Sequence, residues 1–171
     1  MKRLAFTLLT LVLLVSCGDE MMLRSPDGRI KLDFNLTSEG VPTYSLQFDD
    51  EAIVEPSRLG VATLEREFAQ GLVVKGVEHS SSDEVWQPVW GQYAQIRDYY
   101  NAMCVTLASA DGAELKVEMR LYNDGLGLRY VLCGEGEANI TGEHTEFRMA
   151  GDYSAHWMAG SDDDAEFNYV H

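Results

Sequence analysis

Basic residues are scarce in this chain: 13 Lys+Arg stand against 28 Asp+Glu, for a formal net charge of −15. A field of that sign repels phosphate backbones, which argues against nucleic-acid binding, and it disfavours a polybasic contact with anionic lipid. Cysteine is sparse, at three residues, with no CxxC pair and no Cys/His zinc spacing. The four histidines, His79, His144, His156 and His171, show no ligand spacing, and no Ser/His/Asp set has a nucleophile-elbow context. No apolar run reaches the roughly 20 residues that a spanning helix needs. With four prolines there is no Pro/Gly linker, and no internal repeat divides the chain. Its 171 residues also fall short of a (β/α)8 barrel, which takes at least roughly 200. One domain with one core is the economical expectation.

What is present begins with an address. Lys2 and Arg3 precede an apolar stretch from Leu4 to Val15, the charged and hydrophobic regions of a secretory signal. The stretch ends Leu14-Val15-Ser16-Cys17-Gly18, which resembles a bacterial lipobox. Residues 1–16 are therefore expected to be removed. Cys17, the thiol nucleophile at that place, is expected to be lipidated, with 17–22 as a tether to the outer membrane of the cell envelope. Loss of Lys2 and Arg3 leaves 13 − 2 = 11 basic residues against 28 acidic ones, a charge of −17. Cys104 and Cys133 sit in apolar strand-like runs and read as two buried free thiols, although an oxidising compartment would permit a bridge.

From residue 23 onward the pattern has period two. Ile30, Leu32, Phe34 and Leu36 alternate with polar residues; Tyr44, Leu46 and Phe48 follow; then Leu115, Val117, Met119 and Leu121; then Leu128, Tyr130 and Leu132. Such alternation marks strands with one buried face. Turn signals separate them: Ser25-Pro26-Asp27-Gly28, Asp111-Gly112 and Asn123-Asp124-Gly125. Only Ala62–Gln70 has helical potential, without a clear cap. Many strands joined by turns predict an all-β antiparallel sandwich over 23–171.

Several motifs stand in one order. They are Ser25-Pro26-Asp27-Gly28, Pro56-Ser57-Arg58-Leu59-Gly60, Trp86-Gln87-Pro88-Val89-Trp90-Gly91 and Ile96-Arg97-Asp98-Tyr99-Tyr100-Asn101. Arg120-Leu121-Tyr122-Asn123-Asp124-Gly125-Leu126-Gly127-Leu128-Arg129-Tyr130 follows, then Glu143-His144-Thr145-Glu146-Phe147, Trp157 and Glu166-Phe167-Asn168-Tyr169. Together they resemble the N-terminal domain of glycoside hydrolase family 97, bacterial α-glucosidases and α-galactosidases. The resemblance implies a galactose-mutarotase-like supersandwich that packs on a separate catalytic barrel. It implies a calcium ion at the active site, bound only together with that complementary domain. One carboxylate ligand would come from this domain, and the matching residue is Glu166, with Ala165 where the family carries an aromatic residue. The chain ends at His171, before any barrel, so the sandwich is expected to be cut short and the chain alone inactive.

The residue chemistry leaves alternatives open. Trp86 and Trp90, with Arg97, Asn101 and Arg129, would suit an α-glucoside or α-galactoside: rings stack on C–H faces, while guanidinium and amide groups bond hydroxyls. The same rings serve equally as sandwich core, the more economical reading for any one of them. Arg120 and Arg129 have Glu143 and Glu146 as candidate cross-strand partners. Asp162, Asp163, Asp164 and Glu166 read either as calcium ligands or as a solvated acidic loop. Three functions follow: a non-catalytic carbohydrate-binding module that supports an active site, one chain of a split α-glycosidase, or a structural lipoprotein.

Overall fold

The structure is a computed structural model that describes residues 20–154 together with the backbone of 157–158 and 169–170. The segment expected to be a signal, Cys17, Asp162–Asp164 and Glu166 lie outside the described residues. Alternating residues build two meanders of antiparallel strands. The first sheet runs β1 (Met22–Arg24), β2 (Ile30–Leu36), β3 (Pro42–Phe48) and β4 (Glu51–Arg58), in that order. A small sheet follows, with β5 (Val61–Thr63) between β6 (Glu67–Phe68) and β11 (Ile140–Glu143). The second large sheet holds β7 (Val73–Trp86), β8 (Ile96–Ala108), β9 (Glu114–Leu121) and β10 (Leu126–Leu132), ordered β10-β9-β8-β7. A two-stranded pair, β12 (Trp157–Met158) and β13 (Tyr169–Val170), lies near the C-terminus.

The two large sheets share one core. Leu32 and Phe34 of β2 and Tyr44 of β3 meet Met103, Val105 and Leu107 of β8 and Leu115, Val117 and Met119 of β9 in a single apolar cluster. The predicted alternation is realised in both sheets, because each presents one face to the other and the opposite face to water.

The turns follow from local chemistry. Gly28 takes φ 78° and closes onto the Ser25 carbonyl at 2.8 Å. The buried Ser25 hydroxyl donates to Asp27 at 2.6 Å and accepts the Ile30 N–H at 2.9 Å. In the β8–β9 loop, Gly112 (φ 84°) closes onto the Ser109 carbonyl. Asp111 there accepts from Ser109 and, at 2.8 Å, from Arg66. The β9–β10 hairpin forms where predicted, but across four residues, Tyr122–Gly125, none with positive φ. A two-residue turn sits instead between β3 and β4: Asp49 and Asp50 carry φ of 49° and 66° between the paired Phe48 and Glu51. Positive φ at both central residues is the geometry that matches the strand twist of a hairpin, and Asp tolerates that region better than most residues.

Two expectations are corrected. Ala62–Gln70 is not a helix but the β5–β6 hairpin. The Thr63 hydroxyl accepts the N–H groups of Glu65 and Arg66, at 3.3 and 3.1 Å, and the Thr63 N–H donates to the Arg66 carbonyl at 2.7 Å. That local bonding competes with a helix. Cys104 and Cys133 are free, but only Cys104 is half-buried and Cys133 is exposed. The alternation of β10 that turns Leu132 toward Leu115 carries Cys133 outward, one residue past the strand.

Four carboxyls are held below the usual carboxylate range. The Ser25 hydroxyl lowers Asp27, Arg29 lowers Asp49, Arg97 lowers Asp83, and Ser109 followed by Arg66 lowers Asp111. Depressed folded values give stability that is present above the unfolded carboxyl value of about 4 and is lost as the pH falls through the folded values. Thermal unfolding midpoints should therefore stay flat from about pH 7 to pH 5 and fall below about pH 4. Asp111→Asn should flatten that acid limb. An acid limb as steep as the parent's would show that the Asp111 contacts do not matter to it.

Candidate functional site

β7 and β8 are longer than their neighbours. β9 pairs with β8 only as far as Asn101, opposite Leu121. Beyond it, Ser82–Trp86 and Tyr100–Ile96 pair with each other alone, from Ser82↔Tyr100 to Trp86↔Ile96. The result is a two-stranded ribbon that projects past the core. Its tip, Gln87–Gln95, contains no charged residue, in a chain of net charge −15.

The ribbon is stiffened from within. Both carboxylate oxygens of Asp83 accept from Arg97, at 2.6 and 2.8 Å, and the Arg97 guanidinium lies 4.2 Å from the centre of the Tyr99 ring. Asn101 donates to the Arg24 carbonyl at 2.9 Å and the His79 ring nitrogen sits 2.8 Å from the Glu20 carbonyl oxygen, so β1 is fastened across the ribbon's root.

The tip is uncharged, aromatic and open. Trp86 is 51% exposed, Trp90 88% and Val89 fully exposed, with Tyr93 also out in solvent. These rings are not core, and the core reading is corrected. The stretch has no period-two pattern to bury: Pro88 and Gly91 (φ 147°) interrupt it.

The five candidate sugar contacts do not converge on one place. Register puts Arg97 and Asn101 on the side of β8 that carries Met103 and Val105, with Trp86 and Arg129 on the opposite side. Arg97 and Asn101 are engaged in holding the ribbon and β1. Arg129 pairs with Glu118 directly across the ladder, Nε to Oε2 at 2.6 Å. The expected partners of the two arginines are occupied elsewhere: Glu143 accepts from the Thr145 hydroxyl and Glu146 from the Arg58 N–H. Arg120 stacks over Tyr100, 4.6 Å from the ring centre, and Tyr122 donates to Asp98 at 3.0 Å. Sequence reading quoted Tyr100 within a motif but gave Glu78 and Glu118 no role. The signal that would have found those two is register: both lie opposite Cys104 across the ladder.

Among the described residues no group of three or more His, Cys, Asp or Glu side chains is placed to hold a metal ion.

Comparison with known proteins agrees with this architecture. The family described as Glycosyl-hydrolase 97 N-terminal matches residues 23–171. A retaining alpha-galactosidase of Bacteroides thetaiotaomicron is 26% identical over 159 residues, covering 91% of this chain and 23% of that enzyme. A probable retaining alpha-galactosidase of Streptomyces bingchenggensis is 26% identical over 133 residues, covering 78% of this chain and 20% of its own length. A glycoside hydrolase family 97 enzyme from a Pseudoalteromonas species, solved with acarbose, superposes with a TM-score of 0.72 at 26% identity, over 82% of this chain and 22% of that one. A variant of that enzyme was solved with panose. The chain thus spans between a fifth and a quarter of the length of these relatives. The all-antiparallel sandwich, the order of its motifs and the match from residue 23 to residue 171 agree: the chain belongs to the glycosyl-hydrolase 97 N-terminal family.

Proposed function

We propose that this chain is the carbohydrate-contacting module of a family 97 α-glycosidase, one that supports an active site whose reacting groups belong to a catalytic barrel. The observation that carries the reading is the uncharged aromatic tip, Trp86 to Tyr93, projecting from a domain whose relatives are solved with oligosaccharides. Indole faces stack on sugar C–H faces, and the amides of Gln87, Gln92 and Gln95 can donate to and accept from hydroxyls. An α-glucoside or an α-galactoside is the ligand class. The chain alone is expected to bind weakly and not to hydrolyse.

Two further parts of the proposal concern residues outside the described ones. Calcium would be held only together with a complementary catalytic domain, with Glu166 as this chain's ligand; hard carboxylate oxygens suit that ion. Lipid attachment at Cys17 would fix the module to the outer membrane, as the signal-like segment before it supports.

Titration of the purified full chain with panose, followed by tryptophan fluorescence, tests the reading. Trp90→Ala should weaken binding about tenfold while leaving stability within about 0.5 kcal/mol, since the ring buries little. Equal panose affinity in parent and variant would overturn the role of the tip.

A further inference from the structure

A groove of about 320 Å³ lies on the outer face of the second sheet, over Ala102 and Cys104. Glu78, Ser80, Tyr100, Glu118, Arg120 and Arg129 line it. A second depression of about 230 Å³, at Gly127, shares Glu118, Arg120 and Arg129 with the first.

The floor is unusually small for an outward strand face. Ala and Gly are poor strand formers, and a glycine inside a strand often marks close approach by a ligand or another backbone. Gly127 does not have positive φ, and a Cβ there would meet nothing nearer than 3.9 Å. Neither backbone conformation nor internal crowding therefore calls for glycine, and the space it leaves opens outward.

The walls are held in place. Arg120 rests on the ring of Tyr100, itself packed 5.3 Å from Tyr122, and Arg129 is fixed by Glu118. Arg120 forms no ion pair with a carboxylate among the described residues, as is also true of Arg24, Arg58, Lys75 and Lys116. Two guanidinium groups and two carboxylates, those of Glu78 and Glu118, cancel in formal charge around the floor. An anion would face two carboxylates and a cation two guanidinium groups. A neutral polyol, whose every hydroxyl both donates and accepts, satisfies both sets.

We propose that this groove is a second sugar-binding site, taking one neutral hexose unit through Arg120, Arg129, Glu78 and Glu118. It rests on the carbohydrate reading above but not on the ribbon tip. Six residue steps along β8 separate Ala102 from Ile96, which pairs with Trp86, so the two sites lie roughly 20 Å apart.

NMR spectra of the purified full chain, titrated with panose and separately with methyl α-galactopyranoside, test this. Binding should move the guanidinium signals of Arg120 and Arg129 and the amide signals of Ala102 and Gly127. Ala102→Phe fills the groove without removing a charge, and should weaken those movements about tenfold while the indole shifts of Trp86 and Trp90 persist. If that variant does not fold, Arg120→Gln offers the same readout from the exposed wall. Shifts confined to the tryptophans, unchanged in either variant, would overturn the groove and leave the carbohydrate reading standing. No shift anywhere with either sugar would overturn both.

Discussion

Gly40→Ala should destabilise the domain by about 3–5 kcal/mol, well beyond the ordinary cost of a glycine substitution. Gly40 sits at φ 71° in the loop between β2 and β3, buried against the segment that leads into β7. A Cβ there would lie 2.5 Å from the Leu72 nitrogen and 2.6 Å from its carbonyl oxygen. Both are backbone atoms, so no side chain can swing aside. The same backbone is bonded in place: the Gly71 N–H donates to the Glu39 carbonyl at 2.9 Å and the Leu72 N–H to the Gly40 carbonyl at 3.1 Å. Relief would require these two bonds to open and Leu72 to leave the core. Gly28→Ala is the control, because Gly28 has a similar φ of 78° with nothing within 4 Å of the added carbon. It should cost only the conformational penalty, about 1–2 kcal/mol. Chemical denaturation of the two variants separates the terms. Equal losses would show that the Gly40 backbone contact is not tight.

Phe34→Ala should cost a similar amount, about 3–5 kcal/mol, through a different mechanism. Phe34 is 1% exposed, the largest of the fully buried side chains, and pairs with Tyr44 inside the first sheet. Its ring fills the layer between that sheet and the methionines and valines of β8 and β9. Removing it leaves a cavity that the rigid ladders on either side cannot collapse to fill. Against a domain stability of roughly 5–15 kcal/mol, the loss is a large fraction. Phe147→Ala is the comparison: at 71% exposed its ring meets Tyr44 edge-on at 6.5 Å, and its loss should stay within about 1 kcal/mol. Similar midpoints for the two variants would contradict the placement of Phe34 at the centre.

The strands that were readable in advance are those with one wet and one dry face. Ile30 to Leu36 and Leu115 to Leu121 alternate because each is pressed between a sheet and water. β7 carries no readable alternation, because most of its fourteen residues are wet on both faces and no burial imposes a period. The helical potential of Ala62–Gln70 is not realised, because Thr63 makes a local turn that apolar spacing does not reveal. Arg97 and Asn101 look like sugar contacts in one dimension. Their partners, Asp83 across the hairpin and Arg24 from another sheet, become visible only in three. The Asp49-Asp50 turn escaped notice because neither residue is the glycine that such turns usually carry.

The fastening of β1 has a mechanical consequence. β1 pairs with β2 over just three residues, a short zipper for the strand that leads directly from the N-terminal segment. Tension arriving from that end would otherwise peel it away one bond at a time. The links from Asn101 to Arg24 and from His79 to Glu20 pass part of such a load to β7 and β8, the longest ladder among the described residues. A pull at the leading end is thereby spread as shear across the second sheet, with the ribbon's root as its abutment.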